Sequence, residues 1–215
     1  MADIYISGIH VLEKEENVRR AMTQVDALRR AEALRIREPR KRAQCLAAGL
    51  LLQHAAREHL GDKAPAGIYE TALEEGGKPY FKNLPELHFS ISHSGQMVMC
   101  ALSEVRIGAD IQEWRELKSD IAGRFFHPAE TEYLRHLTPS ESEKAFFDIW
   151  CLKESYMKFT GKGMAQPMEE QDFTEVLRGG GFAVFEFTED GTRIRAELLK
   201  VPHGYSAAVI EEYRE

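Results

Sequence analysis

The run LHFSISHSGQMVMCALSEVRIGADI, from Leu87 to Ile111, is built like three short strands. Leu87 to Ser92, Met97 to Leu102 and Arg106 to Ile111 are apolar or alternating segments with turns between them. Upstream, Asp3 to Val11 alternates and reads as another strand. Glu16 to Arg37 is rich in Ala, Leu, Glu and Arg and reads as a helix. Pro39 interrupts it and suits the first turn of the next helix. That helix spans Arg40 to Leu60, with Leu46, Leu50 and Ala47, Leu51 at i,i+4 spacing, and Gly61 ends it. Gly76-Gly77-Lys78-Pro79 is a loop.

The second half repeats the plan. Pro128 opens a helix towards His136. A longer helix starts at Pro139-Ser140-Glu141, where Ser140 and Glu143 fit a capping box, and runs to Gly161. Phe182 to Phe187, Thr192 to Leu198 and Tyr205 to Ile210 then read as strands. The expected fold class is α+β, with two similar pseudo-symmetric halves, 1–104 and 105–215. Each half would pack helices on a small, mostly antiparallel sheet.

A length of 215 residues suits one large domain or two small ones, and 43% hydrophobic residues can fill a core. No apolar run approaches the roughly 20 residues that span a bilayer. The opening Met1-Ala2-Asp3-Ile4-Tyr5-Ile6 lacks the basic and apolar regions of a signal peptide, so a cytoplasmic protein is expected. Cys45, Cys100 and Cys151 are odd in number and form no CxxC pair, which disfavours a disulfide framework or structural zinc and favours buried thiols. A net charge of −7 argues against general nucleic-acid binding. Between Arg29 and Arg42, however, seven basic residues face only two acidic ones, a local patch for an anionic partner.

Three constellations carry chemistry, and each reads two ways. In Gly108-Ala109-Asp110-Ile111-Gln112, alternation puts Asp110 and Gln112 on one strand face and Ile107, Ala109 and Ile111 on the other. The polar face is either an oxygen-rich site for magnesium, which takes few protein carboxylates, or an edge turned to water. In Trp150-Cys151-Leu152-Lys153-Glu154-Ser155-Tyr156-Met157-Lys158, the residues Trp150, Glu154 and Lys158 share a helix face. That is either an ordinary Glu–Lys pair or a semi-buried carboxylate in an aromatic setting, compensated by a metal or a phosphate-bound lysine. Phe89-Ser90-Ile91-Ser92-His93-Ser94-Gly95 ends a strand with groups that can hold a phosphate, or is a plain turn.

In combination and in this order, the motifs resemble the Sfp-type 4'-phosphopantetheinyl transferases. The resemblance runs through Gly77-Lys78-Pro79, Ile91-Ser92-His93-Ser94, Ile107-Gly108-Ala109-Asp110-Ile111, Arg124-Phe125-Phe126 with Glu130, and Trp150-x-x-Lys153-Glu154-Ser155-x-x-Lys158 with Gly161-Lys162-Gly163. It implies transfer of 4'-phosphopantetheine from coenzyme A to a serine of an apo acyl or peptidyl carrier protein. The active site would lie between the halves, the first contacting the 3'-phosphate and adenine and the second holding the metal. Asp110 and Glu154 match magnesium ligands, and Glu154 also matches the residue that takes the serine proton. Lys158 matches a pyrophosphate contact, Ser92 and His93 phosphate contacts, and Lys78 with Pro79 a loop beside the adenine and 3'-phosphate.

Two departures are visible. Many members have a second acid where this chain has Gln112, a weaker metal ligand that binds through oxygen or through a water. The family's arginine near the second helix falls close to Cys45, with Arg42 one turn earlier as the substitute and Arg37 and Lys41 as alternatives. The resemblance further implies a monomer. A non-catalytic coenzyme A or carrier-binding module on the same fold is the runner-up, and a metal-dependent phosphohydrolase the third reading.

Overall fold

The computed structural model describes residues 1–116, 121–163, 166–186 and 191–214, with the side chain of Glu186 set aside. The chain divides into two compact units, Met1–Ile107 and Gly108–Glu215.

The first unit begins with β1 (Asp3–Gly8) and a 3-10 turn over His10–Glu13. Helices α1 (Glu15–Met22), α2 (Ala27–Arg35) and α3 (Pro39–Leu60) follow, then strands β2 (Thr71–Leu73), β3 (Pro79–Phe81), β4 (His88–Ser94) and β5 (Met97–Ser103). Antiparallel pairing gives the order β1-β5-β4, with Ile4 opposite Ala101 and Phe89 opposite Leu102, while β2 and β3 form a separate hairpin. Helix α3 is buried between this sheet and the preceding helices, through the small residues Ala43, Ala47, Ala48, Ala55 and Ala56 interleaved with Leu46 and Leu52. Each large side chain fully buried here contributes roughly 1.5–3 kcal/mol. Pro39 sits in the first turn of α3, and Gly61 closes it at φ 54°.

The second unit opens on β6 (Ile107–Glu113), followed by α4 (Ala122–Phe125), α5 (Pro128–Arg135), α6 (Pro139–Thr160) and α7 (Thr174–Arg178). Strands β7 (Phe182–Glu186), β8 (Arg193–Leu198) and β9 (Tyr205–Glu212) complete a sheet in the order β6-β9-β8-β7. β8 pairs antiparallel with both β7 and β9. Cys151, Leu152, Tyr156 and Phe159 of α6 lie over Ile194, Ala196, Ala208 and Ile210. Gly161 ends α6 in the left-handed region at φ 73°.

The α+β class holds, and several boundaries move for physical reasons. The single helix expected over Glu16–Arg37 is two. Thr23 closes α1, and the Asp26 carboxylate caps α2 by accepting from Arg29 N. β1 stops at Gly8, and Val11 belongs to the 3-10 turn, where it is exposed. The capping box of α6 is Thr138 with Glu141, because Pro139 occupies the first helical turn and moves the cap to the residue before it. The expected strand end at Phe187 lies outside the described residues.

Candidate active site

In β6, Ile107, Ala109 and Ile111 are fully buried, as alternation requires. Asp110 is also buried, only 2% exposed, which rules out the reading in which its face meets water. A buried carboxylate needs compensation. Lys158 Nζ supplies it, 2.7 Å from Asp110 Oδ1 and 3.1 Å from the Ala109 carbonyl. Gln112 donates its side-chain N–H to Asp110 Oδ2 at 3.0 Å, so position 112 does share the face of Asp110.

Glu154 lies one helical turn before Lys158 and is half-buried. Its carboxyl is pushed above the usual carboxylate range, first by burial and then by the Asp110 charge, while Lys158 pulls it down. Two carboxylates that feel each other, with one ammonium beside them, make a net-negative set of oxygen donors. That chemistry fits a hard divalent cation taking the rest of its shell from water and phosphate. Among the described residues, no group of three or more His, Cys, Asp or Glu is placed to hold a metal ion. Any metal here would therefore rest on the two acids.

Three features hold β6 and β9 to α6 at the required spacing. A Cβ on Gly108 would run into Ser155 O and Phe159 N, so only glycine lets strand and helix backbones approach this closely. Ser155 Oγ donates to Ala208 O at 3.0 Å. The buried Cys151 thiol donates to Ser206 O at 3.2 Å and receives the Gln112 backbone N–H. Trp150 packs among Phe125, Phe126 and Phe146, on the helix face that also carries Glu154 and Lys158.

The expected phosphate contacts of the first unit are spread over different settings. β4 runs on through Ser94, and Gly95, at φ 55°, makes the turn. Ser92 is buried while His93, on the opposite strand face, is exposed. Lys78 follows Gly77, which turns the β2–β3 hairpin at φ 83°, and Pro79 begins β3. The Lys78 ammonium donates to Ile107 O at 3.0 Å, and burial lowers its pKa to about 8.

Part of the basic segment has another job. Arg30 donates to Met22 O and Val25 O near the end of α1. Arg42 places two N–H groups on Ile36 O beyond the end of α2. Lys41 lies 3.5 Å from Glu38. Arg37 is exposed and makes no hydrogen bond or ion pair among the described residues. Two of the seven basic residues of this segment, Arg30 and Arg42, thus serve helix-end carbonyls.

Glu130 and Lys153 stand in the sequence motifs, which assign them no role. They form an ion pair at 2.8 Å with both side chains wholly buried. The i,i+4 pattern of α6 carries no signal of it, because the partner comes from α5.

The 4'-phosphopantetheinyl transferase superfamily matches residues 106–210 of this chain. A 4'-phosphopantetheinyl transferase of Bacillus subtilis is 35% identical over 79% of this chain and 74% of its own length. The 4'-phosphopantetheinyl transferase Sfp of Bacillus subtilis (strain 168) is 31% identical over 95% of this chain and 90% of its own. Among solved structures, a holo-(acyl-carrier-protein) synthase from Bacillus anthracis str. Ames overlaps 47% of this chain, at 19% identity and a TM-score of 0.40. From the two Bacillus subtilis relatives, which match most of its length, this chain belongs to the 4'-phosphopantetheinyl transferase family.

Proposed function

We propose that the protein transfers 4'-phosphopantetheine from coenzyme A to a serine of an apo acyl or peptidyl carrier protein, releasing adenosine 3',5'-bisphosphate. The observation that carries this reading is the convergence of Asp110 from β6 with Lys158 of α6, beside Glu154. Lys158 is a cation suited to charge developing on a pyrophosphate, and the two carboxylates are the residue types that would hold a divalent metal for the same purpose.

In this reading the serine hydroxyl gives its proton to Glu154, directly or through a water, as its oxygen bonds to the β-phosphorus of coenzyme A. The bond from that phosphorus to the bridging oxygen breaks, and the electron pair leaves with the bisphosphate. The Lys158 ammonium would neutralise that oxygen. Asp110 and Glu154 would hold magnesium, with Gln112 contributing an oxygen or a bound water. The metal supplies Lewis-acid stabilisation of the phosphoryl oxygens. Lys78, Pro79, Ser92 and His93 serve the adenine and phosphates. For the 3'-phosphate the candidate is Arg42, whose guanidinium keeps its charge while two N–H groups meet the neutral Ile36 carbonyl, with Arg37 and Lys41 as alternatives. We further read the protein as a cytoplasmic monomer acting on neither nucleic acid nor membrane; no helix among the described residues is long and apolar enough to cross a bilayer.

The test is to incubate the protein with coenzyme A, magnesium and an apo carrier protein, then weigh the carrier. A gain of one phosphopantetheine supports transfer. An unchanged carrier with intact coenzyme A indicates a binding module. Coenzyme A breakdown without carrier indicates a hydrolase.

A further inference from the structure

The Glu130–Lys153 pair consumes every polar group it buries. Lys153 Nζ donates to Glu130 Oε2 at 2.8 Å, Met168 O at 2.8 Å and Gln171 O at 2.7 Å, which uses all three of its N–H bonds. Glu130 also accepts from His127 N at 2.9 Å and Phe173 N at 3.0 Å. The rings of Phe126 and Phe173 lie 5.8 and 5.7 Å from the ammonium. Burial pushes Glu130 up and Lys153 down, and each partner offsets part of the other's shift.

A buried ion pair is a poor way to gain stability, because desolvation consumes most of its attraction. What it gives is a single geometry. A leucine or methionine in this place could slide, whereas an ammonium with three fixed acceptors cannot. Lys153 is the residue before Glu154, about 100° away around a helix of 3.6 residues per turn. Fixing its tip sets the rotation of α6 about its own axis. The same ammonium gathers the start of α5 and the 168–171 segment, which follows the Gly161-Lys162-Gly163 exit of α6.

We propose that Glu130 and Lys153 are positioning residues that set the rotation of α6, so that Glu154 and Lys158 meet Asp110. This rests on the assignment of Glu154 and Lys158 to phosphopantetheinyl transfer.

The test compares wild type with the apolar double variant Glu130→Leu/Lys153→Met. Unfolding midpoint, kcat, KM for coenzyme A and affinity for Mn2+ alone, followed by electron paramagnetic resonance, are measured. The double variant is expected to unfold below the wild-type midpoint, because it leaves the Met168 and Gln171 carbonyls and the His127 and Phe173 amides without their partners, so kcat and Mn2+ affinity are compared per folded molecule. Its kcat and Mn2+ affinity are expected to fall about 10–100-fold, as for other residues that orient a metal's ligands. KM for coenzyme A should change less than kcat. Unchanged kcat and Mn2+ affinity in the folded variant would overturn the proposal. If the double variant does not fold, Glu130→Gln, which keeps the side-chain size, carries the same expectation. If neither folds, the pair is a folding requirement and the proposal fails. A wild type that binds Mn2+ without transferring phosphopantetheine would instead sink the functional reading, and Mn2+ affinity would still decide the positioning claim.

Discussion

Helices α3 and α6 are built to one plan. Each spans 22 residues, starts with proline in its first turn, ends on a glycine with positive φ, and lies on a sheet of its own unit. They differ in what they bury. The buried polar residues of α3 are two neutral amides, Gln44 and Gln53, and both satisfy backbone groups. Helix α6 buries Asp148 and Lys153 and carries Glu154 and Lys158 beside Asp110. Neutral amides close gaps in a scaffold at little desolvation cost. Charges in the same setting need partners, and they concentrate where a reaction would use them. The helix-on-sheet plan is therefore shared, while the buried charges of the two helices sit on α6 alone.

The largest effect expected from this contrast follows Glu154→Ala and Lys158→Ala. Each should lower kcat by about 10²–10³, with the fold intact by circular dichroism. Gln53→Ala on α3 should do the opposite. It removes the two bonds to Tyr69 and should cost about 1–3 kcal/mol of stability, read from denaturant unfolding, with kcat per folded molecule unchanged. A large fall in kcat for Gln53→Ala would break the division of labour.

Next comes Gly108→Ala. The added methyl must push β6 away from Ser155 and Phe159, which should lower both the unfolding midpoint and kcat. Full activity at an unchanged midpoint would mean that the close approach is not needed.

A smaller effect is expected at Lys78. Its folded pKa, lowered from 10.5 to about 8, means that the ammonium loses its proton as pH rises through about 8. Coenzyme A binding should weaken over that range, and Lys78→Arg, which stays charged, should flatten the profile. For stability the sign is reversed. Between about 8 and 10.5 the unfolded chain holds a proton that the folded chain has lost, so this group favours folding increasingly with pH. A wild-type affinity independent of pH from 7 to 9.5 would remove Lys78 from the phosphate site.

The smallest effect separates two helix starts. Thr138→Ala should destabilise the second unit by about 0.5–2 kcal/mol, and Ser140→Ala by much less. Thermal unfolding of the two variants decides between them.

Local rules recovered what local forces set. Pro39, Gly61 and Gly161 mark helix ends because they act on their own backbone. The alternation of β6 placed Asp110 and Gln112 together because a strand has period two. Two misplacements were also local. Asp26 and Thr138 each precede a helix in the sequence and carry a cap, but neighbouring helix formers mask the first and Ser140 competes with the second. Other features were out of reach. That Arg30 and Arg42 serve helix ends depends on where the chain turns back. The Glu130–Lys153 pair joins residues 23 apart, and no periodicity links them. The close contact at Gly108 needs the helix to be present before the glycine has a reason.

The most direct test of the catalytic assignment is a single-turnover comparison of wild type with Asp110→Asn, which keeps the shape of the side chain and removes its charge. Carrier mass is followed over time at saturating coenzyme A while magnesium is titrated. A variant that unfolds at the wild-type midpoint yet transfers about 10²-fold more slowly, with a raised magnesium requirement, is the predicted result. Transfer at the wild-type rate with an unchanged magnesium titration would contradict the account.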